Sequence, residues 1–190
     1  KRQKLMWDEQ AGIFRDRLMS TETAEGILLP YVTADVYATL FFGVATPEQA
    51  LHIRNATLSG ASGLRLEQPG GIQASNLVGT GKQWDGPFGW APHQVFAQVG
   101  LKKYGFVEDA MRLAHSWLNA NSRILQKTGY LIEKVDTHRA DSPIEDGGKY
   151  KTQKGFGWTN GSIITSLIEI LGLKVTELKM KCRTKTCAHR

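Results

Sequence analysis

Three glycine-rich segments of the sequence together supply tryptophan, amide and carboxylate side chains. They are PGGIQAS (69–75), QWDGPFGWAPHQ (83–94) and KGFGWTNG (154–161). An aromatic ring can pack against the C–H face of a pyranose, while the sugar hydroxyls require polar groups such as Asp, Gln and Asn. The composition of these segments therefore predicts a carbohydrate site. The alternative is that Trp84, Trp90 and Trp158 are only large core residues.

Two carboxylates are candidates for the chemistry of such a site. Glycoside hydrolysis uses a pair of carboxyl groups, one as acid and the other as base or nucleophile. Asp85 lies inside the aromatic segment, and Glu133 lies between apolar residues in LIEKVD (131–136). The alternative for Glu133 is a solvated surface residue on an edge strand or at a helix start, next to Lys134.

Other catalytic chemistries find little support in the sequence. The five histidines are scattered and include no pair at i and i+4, and Cys182, Cys187 and His189 offer three loosely spaced ligands at most. We therefore expect no metal. The absence of GxSxG, GxGxxG and P-loop patterns argues against a Ser–His–Asp hydrolase and a nucleotide-binding α/β fold.

The elements that must position these segments are mainly helices. Thr46 is a suitable N-cap, with Pro47 at the first helical position. Only TGYLIEKVD (128–136) is a candidate for extended structure. The pattern predicts an all-α protein with long loops rich in glycine and tryptophan. The helical segments are ADVYATLFF (34–42), TPEQALHIRNATL (46–58), HQVFAQVGLKKYG (93–105), 107–125 and TNGSIITSLIEILGL (159–173).

The net charge of +6 is concentrated at the two ends of the sequence. Residues 1–4 contribute +3 and residues 174–190 contribute +5, so residues 5–173 carry −2. A nucleic-acid surface combines basic residues with stacking aromatics, whereas the aromatic residues lie in the middle of this chain. We therefore expect no nucleic-acid partner. No apolar run reaches the roughly 20 residues of a transmembrane helix, so no membrane span is expected.

The segment QWDGPFGWAP (83–92) resembles the second signature of the α,α-trehalases of glycoside hydrolase family 37, roughly QWDxPxxWxP. Other segments resemble family motifs in the same order along the chain. They are LMWDEQAGIFRDR (5–17), PGGIQAS (69–75), LIEKVD (131–136) and GGKY…GFGWTNG (147–161). The resemblance extends over residues 5–173 and leaves 174–190 as a basic tail.

The resemblance implies an (α/α)6 toroid that hydrolyses trehalose, a neutral disaccharide, to two glucose molecules with inversion and without cofactor or metal. It implies that Glu133 is the general base that activates water. Lys149 stands where the family has a glutamate that contacts substrate. The residues implied to line or support the glucose pocket are Gln83, Trp84, Asp85, Phe156 and Trp158.

The sequence also departs from the family pattern. The family's catalytic Asp belongs to an earlier part of the chain, beyond a first signature PGGRFxExYxWD, and neither lies within these 190 residues. We therefore expect the C-terminal part of a toroid, inactive and prone to aggregate or oligomerise when isolated. Two further positions differ, because Val135 and Arg17 stand where the family has tyrosine. The alternatives are a non-catalytic, degenerate sugar-binding or regulatory relative, and another toroidal carbohydrate enzyme.

Overall fold

Helices form the body of the computed structural model, which describes residues 5–19, 26–58, 63–141 and 150–174. The five predicted helices are confirmed, with ends within three residues of the expected positions. The last one continues as a π-helical turn over Ser166–Ile170. The helices are α1 (Val36–Phe41), α2 (Pro47–Leu58), α3 (Ala91–Lys103), α4 (Val107–Thr128) and α5 (Gly157–Thr165).

Short antiparallel ladders of two strands each lie in the segments between the helices. They add to the all-α architecture that the sequence predicts. Strands of two or three residues carry no alternation of polar and apolar side chains that periodicity could detect. The pairs are β1 (Trp7–Asp8) with β2 (Ile13–Phe14), β3 (Arg17–Leu18) with β4 (Ile27–Leu28), β5 (Glu67–Gln68) with β6 (Gly71–Ile72), and β7 (Phe88–Trp90) with β8 (Lys134–Asp136).

The main apolar core lies where α3 packs between α1 and α4. Leu40 of α1, Leu101 of α3 and Leu113 of α4 are fully buried in it. Helix α4 is amphipathic along its length, so one face meets the core and the other meets solvent. It ends at Gly129, whose left-handed φ of 76° lets its N–H reach the carbonyl of Leu125.

A buried carboxylate ties α2, α4 and β5 together. Asp109 of α4 accepts a hydrogen bond from Nε of Arg54 at 2.7 Å and pairs with Nη1 of Arg112 at 2.6 Å. Arg112 also forms a two-bond pair with Glu67 of β5, at 2.8 and 3.1 Å. Because both oxygens of Asp109 are engaged, the buried charge is compensated.

A second apolar cluster supports the predicted carbohydrate site. Trp117 and Ile124 of α4 pack with Val135 of β8, and the half-buried ring of Trp158 packs against them. The indole N–H of Trp117 donates to Oγ of Ser162 at 2.9 Å, which fastens α5 to α4. Lys149 and residues 175–190, including both cysteines and His189, lie outside the described residues.

Candidate active site

The ladder between β7 and β8 brings the aromatic segment 83–94 against LIEKVD. Its register pairs Phe88 with Asp136, Gly89 with Val135, and Trp90 with Lys134. A Cβ atom at Gly89 would lie 2.3 Å from Cγ2 of Thr137, so the strands approach this closely only because residue 89 is glycine. Lys134 is the residue paired with Trp90, and Glu133 immediately precedes it in the chain.

Glu133 is a buried carboxylate with only 2% of its surface exposed. The Tyr150 hydroxyl donates to Oε1 at 2.9 Å, and the backbone N–H of Gln153 donates to Oε2 at 3.4 Å. The indole N–H of Trp158 donates to the backbone carbonyl of Glu133 at 3.2 Å. The alternative of a solvated surface glutamate is therefore wrong, because the segment 150–158 closes over this side chain.

Tyr150 is the residue that most directly orients Glu133. Its hydrogen bond to Glu133 raises the pKa of the Tyr150 phenol, since a phenolate beside a carboxylate is unfavourable. The side chain of Gln83 acts in the opposite direction and lowers the pKa of the same phenol. Oε1 of Gln83 is buried and has no hydrogen-bond partner among the residues described. The bonded pair of Tyr150 and Glu133 therefore has the polar side chain of Gln83 beside it.

Aromatic rings line the region beside these polar side chains. Trp84 stacks on Trp90 with ring centres 4.2 Å apart and an interplanar angle of 9°. Trp158 meets Trp90 edge to face at 5.6 Å, and Phe156 lies 4.9 Å from Trp158. Trp90 is fully buried, as the core alternative predicts, whereas 44% of Trp84 is exposed. The outer face of Trp84 is therefore available to stack on a sugar ring.

Asp85 turns away from the exposed face of Trp84 and into the protein. Oγ of Ser75 donates to Oδ1 of Asp85 at 2.8 Å, and Oγ1 of Thr80 donates to Oδ2. Asp85 itself is 9% exposed. Its carboxylate thus fastens the loop that carries Trp84, while a direct contact with substrate stays a prediction.

The amine of Lys134 is enclosed by aromatic rings next to Glu133. Its Nζ lies 5.4 Å from the ring centres of Phe88 and Trp90, and 4.7 Å from that of Tyr150. Burial lowers the pKa of Lys134, and the neighbouring charge of Glu133 partly offsets this effect. Nζ has no hydrogen-bond partner in the described part of the chain, so the rings and the charge of Glu133 are what stabilise it there.

The PGGIQAS segment is held in place by one glutamine of α3. The Gln94 side chain accepts from the N–H of Ile72 at 2.8 Å and donates to its carbonyl at 2.6 Å. A Cβ atom on Gly71 would lie 2.4 Å from Oε1 of Gln94, and the φ of Gly71 is 116°. Glycine at residue 71 therefore allows this amide to clamp the segment.

A histidine and an aspartate lie at the other edge of the tryptophan pair. The His93 ring lies 5.4 Å from Trp84, and its Nε2 is 3.5 Å from Oδ1 of Asp35. The hydrogen bond with His93 lowers the pKa of Asp35 despite partial burial, which acts in the opposite direction. This pair fixes the edge of α3 against the start of α1.

A sequence profile described as Trehalase matches residues 1–171. The chain belongs to the trehalase family. The neutral trehalase of Saccharomyces cerevisiae is 34% identical, with a TM-score of 0.68 over 87% of this chain and 28% of the yeast chain. This trehalase family member therefore spans less than a third of the yeast enzyme's length.

More distant structures share the fold alone. The family 63 mannosylglycerate hydrolase of Thermus thermophilus is 18% identical, with a TM-score of 0.61 over 87% of this chain and 35% of that one. An uncharacterised conserved protein of the same organism is 16% identical, with a TM-score of 0.59 over 87% and 38% of the two chains. This trehalase family fold therefore extends to helical glycosidases of other specificity.

The structure brings several of the predicted trehalase residues together. The Gln83 side chain and the Glu133 carboxylate both act on the pKa of Tyr150, and Trp158 contacts the Glu133 backbone. Sequence reasoning overlooked Tyr150 and Lys134. The tyrosine of GGKY and the lysine next to Glu133 were visible in the sequence, but nothing local indicated that they meet.

Two surface cavities are lined in part by the trehalase-like segment 5–17 and lie apart from Glu133 in their lining residues. One of about 480 Å³ is lined by Asp8, Arg15 and Pro30, and one of about 210 Å³ by Trp7, Glu48 and His52. Across the described ranges, no group of three or more His, Cys, Asp or Glu side chains is arranged to hold a metal ion. None of the helices described is both long and apolar enough to span a membrane.

Proposed function

We propose that this chain is the part of an α,α-trehalase catalytic domain that carries the general base, Glu133. The burial of Glu133 behind the segment 150–158, with Tyr150 bonded to Oε1, is the observation that carries this proposal. A base must be fixed in direction and shielded from bulk water, and these contacts supply both conditions. Membership of the trehalase family supports trehalose as the substrate.

In this reaction Glu133 removes a proton from a water molecule while the water oxygen attacks an anomeric carbon of trehalose. The bond from that carbon to the bridging oxygen breaks, and a general acid protonates the departing glucose. Inverting enzymes hold the two carboxyl groups about 6.5–9.5 Å apart to admit the water. The acid belongs to a part of the catalytic domain outside these 190 residues.

The substrate lies against the aromatic rings beside Glu133. Trp84 offers an exposed face for stacking, Trp158 and Phe156 extend the aromatic wall, and Gln83, whose Oε1 is buried, supports the pocket from within. Asp85 and Lys149 complete the set proposed for the pocket. In this arrangement Asp85 acts through the loop it fastens.

The complete domain is an (α/α)6 toroid, of which residues 5–173 supply the C-terminal part and 174–190 form a basic tail. The TM-score of 0.68 to the yeast neutral trehalase supports this arrangement. The remaining helices cover apolar side chains that this chain leaves exposed, including Phe42, Ile164 and Leu173. We expect the isolated chain to aggregate or oligomerise for that reason.

The test compares trehalose hydrolysis by the full gene product, its Glu133→Gln variant and an exposed control, Glu108→Gln. We expect E133Q to lower kcat by about 10³-fold or more, since a base usually contributes 10²–10⁴-fold, while E108Q keeps wild-type rates. Undiminished hydrolysis by E133Q overturns the proposal. Rapid glucose release by the 190-residue chain alone contradicts the assignment of the acid to another part of the domain.

The stereochemistry of the products tests inversion separately. Attack with inversion converts one glucosyl unit to β-glucose, while the departing glucose keeps its α configuration. Proton NMR within the first turnovers should therefore show the two anomers in equal amounts before they interconvert. Release of α-glucose alone indicates retention and contradicts the proposed mechanism.

Lys149 favours a second candidate, a non-catalytic trehalose-binding relative. A cation replaces the family's glutamate at this position, which changes the charge offered to a sugar hydroxyl. Calorimetric titration of the full gene product with trehalose distinguishes the two candidates. Binding without hydrolysis supports this second candidate, and hydrolysis that depends on Glu133 eliminates it.

A further inference from the structure

Lys134 is fully buried but takes no part in the proton transfers of the proposed reaction. Its Nζ has no hydrogen-bond partner among the described residues. An apolar side chain of similar length would fill the same space without the penalty of burying an amine. The position of this amine beside Glu133 points to a role in the site.

The aromatic cage around Nζ has two fixed walls and one loosely held wall. Phe88 and Trp90 belong to β7 and are buried in an apolar cluster. Tyr150 is 41% exposed and nearest to Nζ, at 4.7 Å from its ring centre. A cation within about 6 Å of a ring centre attracts the ring, and the attraction strengthens when the cation is desolvated.

Within the described ranges, Tyr150 has few contacts that could hold its ring in position. It belongs to none of the three apolar clusters formed by the buried residues described. Its hydroxyl bonds Glu133, and its ring faces the amine of Lys134. Among the described residues, the contact with Lys134 is therefore the one that bears on the plane of the ring.

We propose that Lys134 is a positioning residue for the catalytic base. Its buried ammonium group holds the Tyr150 ring, and the Tyr150 hydroxyl in turn orients Oε1 of Glu133. This inference rests on the proposed function, in which Glu133 activates water. It assigns the lysine between Glu133 and Val135 an effect on catalysis that operates without contact with the substrate.

The proposed role separates activity from stability. Lys134→Met keeps a flexible chain of similar length and removes the charge, so the aromatic cage is still filled. Since a buried amine without hydrogen bonds is unfavourable, this variant should melt at or above the wild-type temperature. The turnover number should fall all the same, because Tyr150 is no longer held.

The chain also offers a matched control. Nζ of Lys154 lies 4.7 Å from the ring centre of Tyr130, the same distance as in the proposed pair, but both residues of this second pair are exposed. Kinetics and melting of K134M, K154M, Y150F and the double variant K134M/Y150F should be measured in the full gene product. Selectively labelled tyrosine provides an NMR signal of the Tyr150 ring that does not depend on activity.

We expect K134M to lower kcat roughly 10-fold with KM changed less than about twofold, and K154M to behave as wild type. In the Y150F background K134M should add little, because both changes remove the same linkage. The Tyr150 ring signal should shift in K134M and stay in place in K154M.

Wild-type kcat in K134M, multiplicative losses in the double variant, or a lowered melting temperature overturns the inference. An unchanged NMR signal of the Tyr150 ring in K134M also overturns the inference, and this result does not depend on trehalase activity. Activity retained in E133Q refutes the proposed function itself, whereas E133Q inactivity with full activity in K134M refutes the role of Lys134 alone.

Discussion

The hydroxyl of Tyr150 and Oε1 of Glu133 are joined by a hydrogen bond of 2.9 Å. The two residues are separated by seventeen positions in the sequence. Their contact makes the segment that begins at residue 150 a direct determinant of the direction in which the carboxylate points. It also couples the protonation of the phenol to the charge of the carboxylate.

The phenol of Tyr150 should therefore titrate differently when Glu133 loses its charge. The hydrogen bond to Glu133 raises the pKa of Tyr150, so Glu133→Gln should lower that pKa toward the ordinary value of 10.0. The phenolate absorbance of Tyr150 is isolated by subtracting the titration curve of Y150F from that of the wild type, and the curve of E133Q/Y150F from that of E133Q. Identical Tyr150 titrations with and without the charge of Glu133 would show that the hydrogen bond is not formed in solution.

Trp84 should contribute to substrate affinity more than to turnover. Its inner face is stacked on Trp90 and its outer face is open, so Trp84→Ala removes a stacking surface without opening the core. We expect KM for trehalose to rise about 10-fold in W84A, with a much smaller change in W84F. Tyr130→Ala removes a similarly exposed ring elsewhere and should leave KM unchanged. A fall in kcat alone would contradict a stacking role.

Asp85 and Ser75 should act on stability as a coupled pair. Ser75 is fully buried and donates to Oδ1 of Asp85, so either Ser75→Ala or Asp85→Asn disturbs the same buried bond. We expect each to lower the free energy of unfolding by about 2 kcal/mol, with the double variant losing clearly less than the sum. Urea unfolding measures the coupling. Additive losses would indicate that Asp85 has another main partner.

The ion pairs of Asp109 should stabilise the fold at neutral pH and fail in acid. Burial acts to raise the pKa of Asp109, but hydrogen bonds from Arg54 and Arg112 outweigh it and hold the pKa below 3.8. A lowered pKa means that stabilisation is complete above about pH 4 and is lost as pH falls through the lowered value.

Asp109→Asn should therefore reduce unfolding free energy by about 2 kcal/mol at pH 7, a figure that allows for solvent screening of the half-exposed arginines. The difference from wild type should shrink steadily below pH 4. Glu108→Gln, on the exposed side of the same helical turn, serves as the control and should change little. A D109N deficit that persists unchanged at pH 2 would exclude the ion pairs as its cause.

The helices could be predicted from the sequence because their signals are local. The apolar stripe of 107–125 and the Thr46–Pro47 start depend on residues within a few positions of one another, and the structure reproduces both. The glycine-rich segments with tryptophan were equally visible. Their composition identified the exposed Trp84 and its neighbours as a candidate sugar site before any contact was known.

The remaining features depend on contacts between distant segments. Lysine is usually solvated, so no local pattern indicates that Lys134 is buried inside three rings. The inward direction of Asp85 requires the hydroxyls of Ser75 and Thr80, which lie in a separate turn. Tyr150 reaches Glu133 only after the segment 150–158 has folded back. Composition can propose such residues but cannot give their orientation.

The register of β7 against β8 also limits which insertions and deletions the gene can accumulate. Successive strand residues point to opposite faces, so a one-residue insertion or deletion within Phe88–Trp90 would turn the strand residues beyond it over relative to Lys134. Trp90 would then face away from the cage around that amine. Changes of chain length among homologous genes are therefore expected outside this ladder.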